Sequence, residues 1–385
     1  METGKQYRIA LVLYTQGLDY DDRIRKEILT IQNTYPNVAF KIFAVVPENR
    51  EESGMTSYGV EYRVPYLKSR EKYKSGRNTF SKAFDFYKSI RQELKAFDAV
   101  WCADIETFLF VLLLKRKPIL WDLHELPTMF MQSWWKRLLF RYAERRVKVM
   151  IHANEPRLNY LNSIGLVNHM DKQFVLRNYP DFNEIDADYD EVYHKFEDWL
   201  GDDKCVYLQS IVSKDRADEE SIGAVLDVEG LKAVVVGKIG EGRMERFEQL
   251  FGKEVLEKRI FFAGQQKQLK TPQYIRKCIM SLVFYKRTSM NNWYCEPNRL
   301  FQNINNGNPV VVGDNPPMKD IIDKYGVGVC ANTDGGDKDK IVIAIKKVLT
   351  DIEVLKQNLQ AAQDQWLWGS QDEIIRSIVE KYLNE

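Results

Sequence analysis

The sequence predicts an α/β fold with two Rossmann-like, parallel-sheet domains that face a cleft. Three observations lead to this prediction. Short apolar runs rich in β-branched residues alternate with helical periodicity along nearly the whole chain. The runs number twelve, which is more than one sheet usually holds. The length of 385 residues suits roughly two to three domains.

The first domain is predicted over residues 1–180. Its expected strands are at 8–15, 40–46, 99–103, 119–123, 149–153 and 174–176. Helical periodicity fills 22–32, 80–96 and 133–146. Strands that alternate with helices in this way predict a parallel sheet covered on both faces.

The second domain is predicted over residues 181–368. Its expected strands are at 205–211, 233–237, 260–263, 280–285, 310–312 and 328–331. An acidic stretch without strand rhythm, 178–203, is the predicted linker. Residues 369–385 are assigned back to the first domain as a terminal helix, with a bend at Gly369-Ser370 and with Trp366 and Trp368 as packing residues.

Composition limits the function classes. The chain is 44% hydrophobic and 29% charged, with a net charge of +1, so it has no bulk attraction for nucleic acid. Its five cysteines form no C-x-x-C pair, which argues against a disulfide framework or a structural zinc site. The opening residues lack a signal-peptide pattern and no apolar run is long enough to span a membrane, so we expect a cytoplasmic protein.

The most specific stretch is 285–314. Pro297 is predicted at the first position of a short helix and Gly307 just after its end, and a buried strand follows at 310–312. The start of such a helix directs free amides and partial positive charge outward, which suits a diphosphate. Asn298 and Gln302 share a helical face just inside that end.

This stretch resembles the nucleotide-sugar motif of the GT4-type glycosyltransferases, which are retaining enzymes with the GT-B fold. The resemblance is carried by Glu-Pro-Asn-Arg-Leu-Phe-Gln at 296–302 and Asn-Gly-Asn-Pro-Val-Val at 306–311. The family usually has an acid at the position of Gln302, where it binds the donor ribose hydroxyls. An amide can accept from one hydroxyl and donate to another, without the charge-assisted bond. A second family acid falls at Tyr294, and Glu296 could take its place if the loop is shifted.

The resemblance also implies which residues hold the donor and the acceptor. The donor-binding set is Gln302, Asn298, Arg299, Leu300, Glu296, Lys267 and Gly237. Arg216 is expected to neutralise the diphosphate, with Lys267, Lys286 and Arg287 as candidates for a second positive charge. Asp122 and His124 match the family's Asp-x-His, whose histidine contacts the transferred sugar. Gly17 and Asp104 are expected with Asp122 on the acceptor side, and Asp19, Asp22 and Arg23 are further candidates for that side; a helix cap is the other interpretation of Asp22.

Two other motifs are weaker. The glycines of 237–242 have the order G-x-x-G-x-G, which does not match a dinucleotide fingerprint. Asp186-Ala187-Asp188 has the sequence of a metal-diphosphate motif but lies in the acidic linker and not after an apolar strand. We therefore expect no metal and no cofactor, with the nucleotide-diphosphate sugar as co-substrate.

The segment 133–148 is basic and amphipathic. Trp134, Trp135, Leu138, Leu139 and Tyr142 lie on one face, and six basic residues oppose one acid. The apolar face could rest on an anionic membrane surface, giving a peripheral location on its inner face, or be buried in its own domain.

The predicted function is transfer of a sugar from a nucleotide diphosphate to a glycan or lipid-linked acceptor, with retention and without metal. Two alternatives share the fold: a nucleotide-sugar epimerase, and a non-catalytic relative that binds a partner protein. A nicotinamide-dependent oxidoreductase ranks last.

Overall fold

A computed structural model of the chain describes residues 6–19, 21–73, 78–114, 116–181, 190–209, 214–267, 270–362 and 365–383. The chain divides into two compact units. Unit 1 contains Met1–Asn178 and Gln371–Glu385, and unit 2 contains Tyr179–Ser370. Each unit is built around one sheet, of eight strands in unit 1 and six in unit 2.

Unit 1 has an eight-stranded sheet in the order β3-β4-β2-β1-β5-β6-β7-β8. The strands are β1 (Tyr7–Tyr14), β2 (Val38–Val45), β3 (Glu52–Met55), β4 (Glu61–Val64), β5 (Ala99–Ala103), β6 (Ile119–Leu123), β7 (Val149–His152) and β8 (Gln173–Val175). Every neighbouring pair is parallel except β3 and β4. All six strands predicted in this half are present.

The hairpin of β3 and β4 was not predicted. Both strands are short and polar, and β3 is largely exposed at the edge of the sheet. Neither has the apolar run that marks the buried strands, which is why the sequence pattern did not indicate them.

In the described residues of the first half, seven α-helices precede unit 2. They are α1 (Asp22–Thr34), α2 (Lys68–Lys72), α3 (Thr79–Ile90), α4 (Phe108–Leu113), α5 (Thr128–Met131), α6 (Trp134–Arg146) and α7 (Glu155–Ser163). Helix α1 buries Ile24, Ile28 and Ile31, whose spacing matches one helical face. Its cap is Asp21, whose carboxylate accepts from the Ile24 amide at 3.4 Å, and not Asp22.

Helix α6 does not bury the aromatic face that the sequence analysis singled out. It packs through Phe140, Ala143 and Glu144, which are all fully buried. The side chains of Trp134 and Trp135 on the other face are 74% and 52% exposed, and Leu138 and Tyr142 are similarly open. Burial in its own domain is therefore wrong for these four residues, whereas Leu139 of the same predicted face is half-buried.

Unit 2 has a fully parallel six-stranded sheet in the order β11-β10-β9-β12-β13-β14. The strands are β9 (Lys204–Gln209), β10 (Leu231–Val236), β11 (Ile260–Gly264), β12 (Met280–Val283), β13 (Val310–Val312) and β14 (Gly328–Cys330). The helices are α8 (Glu191–Leu200), α9 (Asp218–Leu226), α10 (Arg243–Phe251), α11 (Lys253–Arg259), α12 (Thr271–Lys277), α13 (Met290–Trp293), α14 (Asn298–Asn305), α15 (Pro316–Tyr325) and α16 (Lys338–Ala361). All six predicted strands are present.

The predicted linker is partly helical. Helix α8 buries Tyr193, Phe196 and Leu200 against the unit 2 core. The acidic residues between these positions made the helical spacing of the apolar residues difficult to recognise in the sequence. Residues 182–189, with the Asp186-Ala187-Asp188 motif, lie outside the described part of the chain.

The terminal helix α17 (Asp372–Leu383) belongs to unit 1. It buries Ile375, Ile378 and Tyr382, and the Tyr382 ring packs edge-on against Trp101 with 6.4 Å between centroids. At its start the Gln371 side chain accepts from the Arg177 amide at 2.7 Å and donates to the Arg177 carbonyl at 2.8 Å. Trp366 and Trp368 are buried in unit 2, as expected of packing residues.

Candidate functional site

In unit 2, polar residues gather at the carboxyl ends of β9 and β12, beside the start of α14. Pro297 is the residue before that helix and not its first helical position, and the Leu300 amide donates to the Pro297 carbonyl at 2.9 Å. Gly307 follows the helix with a φ of +73°, a left-handed conformation that glycine adopts without strain. Ligands of open parallel sheets bind beyond these strand ends.

Arg299 is the buried cation of this region. Its guanidinium donates to the carbonyl of Gln209 at the end of β9 and, at 3.1 Å, to the carbonyl of Phe284 just after β12. Burial lowers the pKa of Arg299 from its usual value. Within the described residues no carboxylate lies at ion-pair distance from it, so its charge is balanced only by dipoles.

Arg216 and Arg299 contact the same aromatic ring, that of Tyr285. The guanidinium carbons of Arg216 and Arg299 lie 5.3 Å and 4.8 Å from the centroid of the Tyr285 ring. The Lys286 amide donates to the Asp215 carbonyl at 2.7 Å, which holds the segment of Arg216 beside Tyr285. Two cations are therefore concentrated at one ring, a cation–π arrangement that strengthens when water is excluded.

The other predicted cations are placed differently. Lys286 pairs with Glu220 at 2.6 Å, and Arg287 pairs with Asp314 while lying 3.9 Å above the Trp293 ring. Carboxylates therefore neutralise both residues. Lys267 is exposed in the loop after β11. The cation that lies at the same ring as Arg216 is instead Arg299, which was predicted for the donor but not as the second positive charge.

The first turn of α14 presents amide side chains. Gln302 is buried to 8% exposure, and its side-chain amide forms no hydrogen bond with any described residue. The buried Oδ1 of Asn298 likewise has no hydrogen-bond donor among those residues. Both amides thus retain hydrogen-bonding capacity that a ligand hydroxyl could use.

The remaining residues of the predicted donor-binding set are Leu300, Glu296 and Gly237. Leu300 is fully buried in the unit 2 core, so its side chain packs against the protein. Glu296 is half-buried in the loop before α14. Gly237 has a φ of +132°, and its amide donates to the Gly264 carbonyl at 2.7 Å, which joins the ends of β10 and β11.

In unit 1, a buried network forms around Asp122, the fourth residue of β6. Its carboxylate accepts from Nε and Nη2 of Arg23 at 3.1 Å and 2.9 Å, and its Oδ2 lies 2.9 Å from Nε2 of His124. Arg23 also donates to the Leu176 carbonyl at 2.9 Å. Asp122 therefore connects the histidine at the strand end to helix α1.

The network fixes the charge of His124. Burial would lower the pKa of His124, but the Asp122 carboxylate raises it to about 9. Burial would raise the pKa of Asp122, but Arg23 and His124 lower it below its usual range. At neutral pH the histidine is an imidazolium, with a quarter of its side chain exposed. It can donate a hydrogen bond to an oxygen that carries negative charge.

Glu27 is a member of this network that the sequence analysis missed. It lies one helical turn after Arg23, with Oε1 3.0 Å from Arg23 Nε, and its side chain is 1% exposed. Burial and the negative charge of Asp122 raise the pKa of Glu27 well above its usual range. The sequence feature that could have indicated Glu27 is its spacing of four residues from Arg23. Residues four apart lie on the same side of a helix, and here that side is next to the apolar face of α1.

The structure brings Asp104 to the same strand ends. Its amide donates to the Asp122 carbonyl at 2.7 Å, and its Oδ2 lies 4.0 Å from His124 Nδ1. Its φ of +61° is in the left-handed region, which is uncommon for a residue other than glycine and often marks a functional position. Gly17 lies in the loop after β1, where its amide donates to the Thr15 hydroxyl at 3.3 Å.

The described ranges contain neither a metal-binding cluster nor a membrane-spanning helix. There, no three His, Cys, Asp or Glu side chains come together as a metal site. The five cysteines are free thiols. Across the same ranges, no helix combines the length and apolar composition needed to cross a bilayer.

The protein is similar to known proteins in structure, whereas the sequence comparisons find no match. No protein-family model matches the chain, and no curated protein sequence matches it. Sucrose-phosphate synthase from Thermosynechococcus elongatus is similar with a TM-score of 0.74 at 12% identity, covering 98% of each chain.

Two further solved structures have the same likeness. HepE from Anabaena, in complex with UDP, has a TM-score of 0.70 at 14% identity, covering 97% of this chain and 99% of that one. WaaG, a glycosyltransferase involved in lipopolysaccharide biosynthesis, has a TM-score of 0.62 at 13% identity, covering 95% and 99%. At this identity the likeness shows the fold, and the chain has the two-domain α/β architecture of the GT-B glycosyltransferases, as the sequence predicted.

Proposed function

We propose that the protein is a glycosyltransferase that moves a sugar from a nucleotide-diphosphate donor to a glycan or lipid-linked acceptor. The observation that carries this proposal is the pair of arginines on Tyr285. Arg299 is buried without a carboxylate among the described residues, and Arg216 contacts the same ring. The buried charge of Arg299, which no carboxylate of the described residues neutralises, is suited to a bound diphosphate, and Arg216 adds a second guanidinium at the same ring.

The amides of α14 support the same proposal. Gln302 lies one turn after Asn298 on the same helical face. The buried Oδ1 of Asn298 has no hydrogen-bond donor, and the Gln302 side chain forms no hydrogen bond, among the described residues. Ribose hydroxyls both donate and accept, and a carboxamide matches that combination. Structures of the similar Anabaena protein HepE contain UDP and UDP-glucose, which makes a uridine diphosphate sugar the first donor to test.

We further propose that the reaction retains the anomeric configuration and needs no metal ion. Arg216, Arg299 and the start of α14 would stabilise the charge that develops on the leaving phosphate. That phosphate would help to remove the proton of the acceptor hydroxyl, so no dedicated carboxylate base is required. The His124 imidazolium, held by Asp122, would donate a hydrogen bond to the transferred sugar.

A thermal-shift panel of nucleotide sugars tests donor binding. At about 100 times the dissociation constant, a ligand that binds only the folded state adds roughly 2.7 kcal/mol of stability. Arg216→Ala is expected to remove most of the shift. Lys286→Ala and Arg287→Ala are matched controls, because both residues pair with carboxylates, and they are expected to keep it.

Product analysis then distinguishes the enzymes that share the fold. Release of the nucleoside diphosphate that depends on an added acceptor supports transfer, whereas conversion of the donor sugar without an acceptor indicates an epimerase. Failure of every nucleotide sugar to shift the wild-type protein, while Arg216→Ala unfolds normally, would overturn the proposal and indicate a non-catalytic binding protein.

A further inference from the structure

Helix α6 exposes an apolar row of three residues spaced by four. Trp134, Leu138 and Tyr142 are 74%, 53% and 52% exposed. The side of the helix that packs on the unit carries Phe140 and Ala143 instead. We call Trp134, Leu138 and Tyr142 the apolar row. Three such residues on one exposed helical face form a continuous contact surface.

Helices near α6 also carry exposed apolar side chains. Helix α6 packs on α4 and α5, and α4 packs on α3. Exposed apolar side chains on these neighbours are Met129 of α5 and Phe80 of α3, which are 48% and 69% exposed. The apolar character therefore extends beyond a single helix.

A second row on α6 is made of arginines. Arg137, Arg141 and Arg145 are also spaced by four, and at 100° per residue this arginine row lies about 60° around the helix from the apolar row. In the described part of the chain none of the three forms an ion pair with a carboxylate. The single acid of the helix, Glu144, is buried and bonds His169 at 2.7 Å.

The positive charge continues past the end of the helix. Arg146 follows Tyr142 by one turn, with its guanidinium carbon 5.8 Å from that ring. It lines a cavity of about 600 Å³ whose other basic residues are Lys148, Lys172 and Lys381. The acids of the cavity are Asp171 and Glu380, and Lys381 pairs with Asp171. Basic residues therefore exceed acidic ones there by four to two.

We propose that this surface of α6 docks on an anionic lipid bilayer, with the apolar row in the interface and the arginine row and the cavity on lipid phosphates. A basic amphipathic helix with tryptophans on its apolar side has the chemistry of an interfacial helix. Each cation near an anionic bilayer contributes roughly 1 kcal/mol, or about fivefold in affinity. This inference does not depend on the proposed sugar transfer.

Vesicle sedimentation of the full chain tests the proposal. Vesicles of phosphatidylcholine and phosphatidylglycerol in equal parts are compared with vesicles of phosphatidylcholine alone. We expect the protein to sediment with the mixed vesicles, to be released at high salt, and to stay in solution with phosphatidylcholine alone. Equal binding to both vesicle types, or to neither, would overturn the proposal.

Two double variants assign the contacts. Arg141→Gln with Arg145→Gln is expected to weaken binding to the mixed vesicles about 25-fold. Trp134→Ala with Leu138→Ala is expected to weaken it about tenfold or more. The matched controls are on helix α16 of unit 2. Lys346→Gln with Lys347→Gln changes two exposed cations, Ile343→Ala with Val354→Ala changes two exposed apolar residues, and both are expected to bind as wild type.

Sedimentation equilibrium without lipid tests the other occupant of an apolar surface, a second copy of the chain. We expect a monomer at the concentrations used with vesicles. A dimer that the Trp134→Ala with Leu138→Ala variant abolishes, together with no vesicle binding, would assign the surface to self-association and overturn the lipid proposal. Circular dichroism of each variant checks that the fold is kept.

Discussion

Nε2 of His124 lies 2.9 Å from Oδ2 of Asp122, and Arg23 bonds both oxygens of the same carboxylate. The histidine is therefore one member of a chain of alternating charges that starts in helix α1. The carboxylate stabilises the imidazolium, and the arginine keeps the carboxylate ionised.

Stability is expected to fall as the pH rises from about 6.5 to about 9. The folded-state pKa of His124 is about 9, above the unfolded value near 6.5. Its contribution is complete below the unfolded pKa and is lost as the pH rises through the folded one. We expect a loss of about 3 kcal/mol in the free energy of unfolding, because a difference of about 2.5 pKa units corresponds to roughly that amount. Urea unfolding at several pH values measures it.

The control for this prediction is His124→Gln, which keeps a hydrogen-bond donor but cannot titrate. Its free energy of unfolding should change less over the same pH interval than that of the wild type. Equal pH dependence in the two proteins would mean that the contact with Asp122 does not raise the pKa of His124.

Asp122→Asn is expected to destabilise the protein by about 3 to 5 kcal/mol. The substitution removes the negative charge between two cations and leaves the buried Arg23 guanidinium poorly compensated. Asp171→Asn is the matched control, because Asp171 is mostly exposed and lies 3.5 Å from Lys381. We expect the control to cost less than about 1 kcal/mol. Similar urea midpoints for the two variants would contradict the importance of the network.

Gln302→Glu is expected to bind the nucleotide-sugar donor at least as tightly as the wild type. A carboxylate accepts ribose hydroxyl protons through charge-assisted bonds that an amide cannot form. Gln302→Ala, which removes the side-chain amide, is expected to weaken binding. Calorimetric titration measures both. A clear loss of affinity in Gln302→Glu would mean that residue 302 does not contact the ribose.

Tyr285→Leu is expected to weaken donor binding about tenfold, whereas Tyr285→Phe should change it little. The ring lies within 5.3 Å of the guanidinium carbons of both Arg216 and Arg299. Cation–π contacts contribute about 0.5 to 2 kcal/mol each, so their loss would release both side chains from their positions. Equal affinities of the Leu and Phe variants would contradict a role for the ring in holding the arginines.

Much of the fold could be predicted from the sequence because its buried strands are continuous apolar runs. The strand Val310–Val312 is fully buried and was located to the residue. The edge strand Glu52–Met55 was missed, since an exposed strand needs no apolar run. In helix α6, Phe140 and Leu138 are equally apolar, so composition could not determine which of the two is buried.

Less of the candidate sites than of the fold could be predicted from the sequence. Asp122 and His124 were paired through the resemblance to the family's Asp-x-His. Arg23 is 99 residues from Asp122 in the sequence, and only the sheet order brings α1 to the end of β6. The approach of Arg216 and Arg299 to Tyr285 similarly depends on the pairing of β9 with β12.

The return of α17 to unit 1 has a consequence for biosynthesis. The ribosome completes the segment that forms unit 2 before it makes the helix that covers Trp101 of unit 1. Unit 2 therefore emerges from the ribosome ahead of the helix that completes unit 1. The amino-terminal half must wait, with part of its apolar surface uncovered, until the last helix leaves the exit tunnel.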